Sequence, residues 1–72
     1  MSIRNRLKEV RLEKGLTQES LASLVGVTRQ TVIAVEKSKF VPSVKLALEL
    51  ARALGTPLAD IFWLDPSEGA SS

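Results

Sequence analysis

Seventy-two residues, with ten Lys and Arg against eight Asp and Glu, give a net charge of +2 and room for one domain. There is no cysteine and no histidine, which excludes disulfide staples and Cys/His metal sets and removes the commonest acid–base and nucleophile pairings of enzymes. The carboxylates are scattered and no apolar run approaches the roughly 20 residues of a membrane span, so neither catalysis nor a place in the bilayer is expected.

The N-terminal segment MSIRNRLKEV mixes charge into its apolar positions and lacks the apolar core of a signal peptide, so a cytoplasmic protein is expected. Ile3 to Lys14 reads as a first helix, with Ser2 as its cap, Ile3, Leu7 and Val10 as its apolar stripe and Gly15 as its stop. A second helix spans about 17–25. Thr17 caps it, Glu19 suits the positive end of its dipole, and Leu21, Leu24 and Val25 form an apolar face. Gly26 ends it, where a left-handed residue is wanted. Thr28 caps a third helix, about 28–37, that buries Val32 and Val35 and turns Thr28, Arg29, Gln30, Ile33, Ala34 and Lys37 to the other side. Ala22 is small where the two helices must approach closely. Two short helices about a tight turn are the layout of a helix-turn-helix, whose second helix enters the major groove of DNA.

Pro42 closes the following loop, and Ser43 caps a fourth helix running to Leu54 and Gly55. In it Val44, Ala47, Leu50, Ala51 and Leu54 satisfy the helical period, leaving Leu46 and Leu48 over. Thr56-Pro57 starts a short fifth helix covering Leu58, Ile61 and Phe62. From Asp65 the chain is small and polar. No strand alternation is visible. The expectation is an all-α fold, a compact five-helix bundle over residues 1–64, followed by a flexible polar tail at 65–72.

Charge is unevenly spread. Residues 1–40 carry eight Lys and Arg against four Glu, a net +4, whereas residues 41–72 are net −2. The basic half suits a polyanion, and the acidic half should face away from it. Leu46, Leu48, Ile61, Trp63 and Leu64 are surplus apolar groups in that acidic half, and they suggest a homodimer interface. The other reading of Trp63 is a lid on the monomer core.

The ordered set Leu16-Thr17-Gln18-Glu19, Leu21-Ala22, Gly26-Val27, Val32 to Glu36, Pro42-Ser43-Val44 and Leu50 to Gly55 resembles the phage repressor/Cro-type (Xre-like) helix-turn-helix family. The resemblance runs from about Ile3 to Phe62 and implies a lambda-repressor-like DNA-binding domain. It places DNA base contacts at Thr28, Arg29, Gln30, Ile33 and Ala34. Arg can donate twice to the guanine O6/N7 edge, and Gln can pair with the adenine N6/N7 edge. It also assigns a phosphate to Gln18 at a helix N-terminus. Thr17, Thr31, Lys37 and Lys39 are further phosphate candidates. Arg11 and Glu36 match a structural ion pair of the family.

The loop after the third helix departs from the family, which has Gly before Lys where this chain has Ser38-Lys39. If Ser38 takes a positive φ it bears a strain of about 1 kcal/mol. Otherwise the loop follows another path and the role of Lys39 changes. The resulting expectation is a small transcriptional regulator of repressor type, a homodimer reading a palindromic operator in double-stranded DNA, with no cofactor, metal or small-molecule effector. The competing reading is a protein–protein interaction module, such as an antitoxin, on the same fold.

Overall fold

The computed structural model describes residues 2–66. Four helices, α1 (Leu7–Glu13), α2 (Gln18–Val25), α3 (Arg29–Glu36) and α4 (Val44–Leu54), lie between two short strands, β1 (Ile3–Asn5) and β2 (Phe62–Leu64). The fold is therefore mostly helical with a small sheet, and not the all-α five-helix bundle expected.

Each difference has a physical cause. The first helix begins at Leu7 because Ile3–Asn5 is taken up by β2, antiparallel, with Ile3 opposite Leu64, Arg4 opposite Trp63 and Asn5 opposite Phe62. The ladder continues through Arg6 N–H to Ile61 O at 3.0 Å and Asp65 N–H to Ser2 O at 2.9 Å. Asn5 then starts the helix, its side-chain Oδ1 accepting from Leu7 N–H at 3.1 Å. Beyond Pro57 the backbone makes one 3₁₀ turn, Leu58–Asp60, and goes directly into the strand. Thr56 does not cap that turn; its hydroxyl donates back to Leu54 O. Asp65, expected to open the flexible tail, is held by its ladder bond and by Arg4 at 3.2 Å. The rest of that tail, residues 67–72, lies outside the described residues.

One core joins all these elements. Leu7 and Val10 of α1, Leu21, Ala22 and Val25 of α2, and Val32 and Val35 of α3 are buried with Leu46, Leu50, Leu54 and Ile61. In α4 the buried stripe is Leu46, Leu50 and Leu54, spaced by four, so the helix is rotated from the expected setting. Val44, placed in the core by the sequence reading, is 76% exposed. Leu24 of α2 is likewise turned outward.

The same burial corrects two of the expected dimer residues. Leu46 and Ile61 are spent on the monomer core and have no surface to offer a partner. Ile61→Ala should accordingly cost about 2–5 kcal/mol of folding free energy, the cavity penalty for a buried Ile. Urea denaturation measures it, and a loss near zero would return Ile61 to the surface.

Candidate nucleic-acid interface

The two helices of the motif are set by their ends. Thr17 Oγ1 accepts from Ser20 N–H at 3.0 Å while Ser20 Oγ accepts from Thr17 N–H at 2.9 Å, a reciprocal cap. The sequence reading found Thr17 but missed Ser20, because the usual partner in such a box is Glu or Gln. At the other end Gly26 takes φ 72°, and Val27 N–H reaches back to Ala22 O at 3.0 Å. Two residues later Thr28 caps α3, its Oγ1 accepting from Thr31 N–H at 3.3 Å. Thr28 and Thr31 also share a hydroxyl–hydroxyl bond of 3.1 Å. With Ala22 only 2% exposed, α3 sits closely against α2.

Burial of Val32 and Val35 turns the opposite face of α3 outward. Arg29, Gln30 and Lys37 are exposed, and Ile33 and Ala34 are half-buried beside them. These positions recur three or four apart and make one continuous face. Among the described residues no hydrogen bond or ion pair engages the side chains of Arg29, Gln30, Lys37 or Lys39. The long polar groups of this face are at liberty to bond elsewhere.

The far end of α3 closes through Ser38, which takes φ 58° as a glycine would. Ser38 N–H donates to Val35 O at 3.0 Å and Lys39 N–H to Ala34 O at 2.9 Å, so the loop follows the left-handed path and bears its strain. Asn5 Nδ2 donates to Val35 O at 3.0 Å and to Ser38 Oγ at 3.3 Å, tying β1 to this helix end.

Beneath the face lies a charged pair taken out of water. Arg11 Nε donates to Glu36 Oε2 at 2.7 Å and its Nη1 to Leu16 O at 2.8 Å, with side-chain exposures of 7% for Arg11 and 4% for Glu36. Gln18 Nε2 also donates to Glu36, at 3.1 Å. This third bond was not legible in the sequence. It fixes which way the Gln18 amide points, since the flipped amide would set an oxygen against a carboxylate. A second amide N–H of Gln18 remains to donate outward. Of the expected dimer residues, Leu48, Trp63 and Leu64 are exposed and lie on α4 and β2, away from this face in the chain.

A family model described as helix-turn-helix matches residues 7–61, the span of α1 through the 3₁₀ turn. The chain belongs to the helix-turn-helix family. It is a transcriptional regulator with a helix-turn-helix DNA-binding domain. It is 56% identical over 64 residues to an HTH-type transcriptional regulator of Methanothermobacter thermautotrophicus, covering 88% of this chain and 93% of that one. With the HTH-type transcriptional regulator YgzD of Bacillus subtilis it shares 48% over 63 residues, 88% of this chain and 96% of that one. Among solved structures it resembles the restriction-modification controller protein C.AhdI from Aeromonas hydrophila, with a TM-score of 0.71 and 41% identity over 75% of this chain and 82% of that one. Among the described residues no helix is long and apolar enough to cross a membrane, and no cluster of acidic side chains is built to hold a metal.

Arg11→Ala strands the Glu36 carboxylate in a dry site and should cost about 3–5 kcal/mol of folding stability. Replacing both residues with apolar ones of similar size should be milder than either single change. A series of thermal melts checks both expectations, and a silent Arg11→Ala would mean that the pair is solvated.

Proposed function

We propose that this regulator reads a specific sequence in double-stranded DNA through the outer face of α3, as a homodimer on a palindromic operator, and that it acts as a repressor. The observation that carries the reading is the set of unpaired polar groups, Arg29 and Gln30 foremost, on the open face of a helix whose opposite side is locked into the core. Free of partners within the described residues, these groups can exchange water for the donor and acceptor edges of the major groove. Ile33 and Ala34, half-buried on the same face, suit contact with a thymine methyl.

Phosphates are assigned to the rim. Gln18 stands in the first turn of α2, where backbone N–H groups and the dipole favour an anion, and its amide is held by Glu36. Thr17, Thr31, Lys37 and Lys39 are the remaining phosphate contacts in this reading, with Lys39 delivered by the left-handed turn at Ser38. Arg11 and Glu36 orient α3 without touching DNA. A regulator of this kind works where the chromosome is, in the cytoplasm. One small domain makes few base contacts, so two copies related by a two-fold axis, their α3 helices about 34 Å apart, supply the specificity.

Selection of bound sequences from random duplexes should return a palindrome. On that site Arg29→Ala should lose about 1–3 kcal/mol and relax the preference at one base pair. Gln18→Ala should weaken specific and random DNA alike. Equal losses by both variants on both kinds of DNA would undo the division into base and phosphate contacts. Binding that ignores salt would favour a protein partner over DNA.

A further inference from the structure

Asn5 ends β1 with its backbone fixed opposite Phe62, but its side chain serves two helices. Oδ1 accepts from Leu7 N–H at 3.1 Å, at the start of α1. Nδ2 donates to Val35 O at 3.0 Å and to Ser38 Oγ at 3.3 Å, both at the closing end of α3. One amide thus uses its acceptor and its donors together, and no other side chain of its length offers that set. Aspartate has the acceptor without the donors, and serine has one oxygen for two directions.

The bonds to α3 do not rescue an orphaned carbonyl. Val35 O already accepts from Ser38 N–H at 3.0 Å, and Lys39 N–H closes the turn on Ala34 O at 2.9 Å. What Asn5 adds is position: a second attachment, from another element, at the base of the turn that presents Lys39. Ser38 fits the same purpose. It takes φ 58°, where glycine would be unstrained, yet glycine has no hydroxyl for Asn5 to bond. We propose that Asn5 is a positioning residue for DNA binding: together with Ser38 it clamps the turn after α3 to the β-ribbon, in the setting that brings Lys39 to a phosphate. This role rests on the DNA reading and deepens it, because affinity then depends on a residue of the ribbon. A turn held before binding has less freedom to lose when it meets the duplex, so the clamp acts by preorganisation.

Asn5→Asp separates the two ends of the side chain, since it keeps the acceptor for Leu7 and loses both donors to α3. Amide exchange at Lys39 should quicken in that variant, with the helical circular dichroism unchanged. Its affinity for a random-sequence duplex should fall about fivefold, and the dependence of log K on log salt should flatten by about 0.9, the share of one phosphate. Asn5→Ala, which adds no charge, should show the same loss and the same flattening. Lys39→Ala combined with Asn5→Ala should lose no more than Lys39→Ala alone, because both act on one contact. Should Asn5→Ala fail to fold, the same cycle is run with Asn5→Asp. Unchanged exchange at Lys39 in a folded Asn5→Asp, wild-type affinity in either variant, or losses that add in the double variant overturns the proposal. Recovery of affinity by Asn5→Asp relative to Asn5→Ala would assign Asn5 to the start of α1 alone and overturn it too. A wild type that ignores duplex DNA at low salt overturns the DNA reading and this role with it; a wild type that binds, with variants that bind equally, overturns this role alone.

Discussion

The Arg11 guanidinium and the Glu36 carboxylate are nearly dry, and together they join α3 to α1 and to the start of α2. Arg11 comes from α1 and also holds Leu16 O in the connection to α2, while Glu36 closes α3 and accepts from Gln18 at the start of α2. Three helices thus meet at one carboxylate. Such an arrangement gives little net stability, since desolvation offsets attraction, but it penalises every other disposition of the three helices by leaving a charge unmatched. Apolar packing from Val32 and Val35 could slide or roll by part of a turn at small cost. A pair with fixed bond lengths cannot.

Much of the motif was legible because its signals are local. Thr17, Gly26, Thr28 and Ser43 each act within a few residues, and each performs in the structure the capping or stopping role its chemistry suggests. The strands were not legible for the opposite reason. Ile3 pairs with Leu64, and three-residue strands are too short for alternation to be seen. The setting of α4 was misread because Val44 and Leu46 lie two apart, and either can begin a stripe with Leu50 and Leu54 or Leu50 and Ala51. Only the contacts made by α2 and Ile61 decide between them. The Gln18–Glu36 bond joins residues on different helices, and no spacing rule reveals it.

Site residues divide along the same line. Arg29 and Gln30 could be placed on the outer face from the burial of Val32 and Val35 alone, a matter of helical geometry. Surplus apolar residues were harder to sort. Ile61 and Trp63 look alike in a sequence, both apolar and near the end of the domain, yet one is wholly buried and the other exposed. Strand alternation would put residues two apart on one face. It does not apply here, because Ile61 closes the 3₁₀ turn in a helical backbone conformation, φ −106° and ψ −43°, and only Phe62–Leu64 is strand.

The ribbon has a further consequence, for the order of folding. Each helix closes within its own few residues, whereas β1 finds its partner at the far end of the described chain, Ile3 opposite Leu64. Closing so long a loop costs chain entropy before the pairing returns anything, so the helices are early contacts and the ribbon a late one. The residue that joins the two regimes is Ile61, wholly buried in the core and one position before the strand, so packing it delivers Phe62–Leu64 to β1.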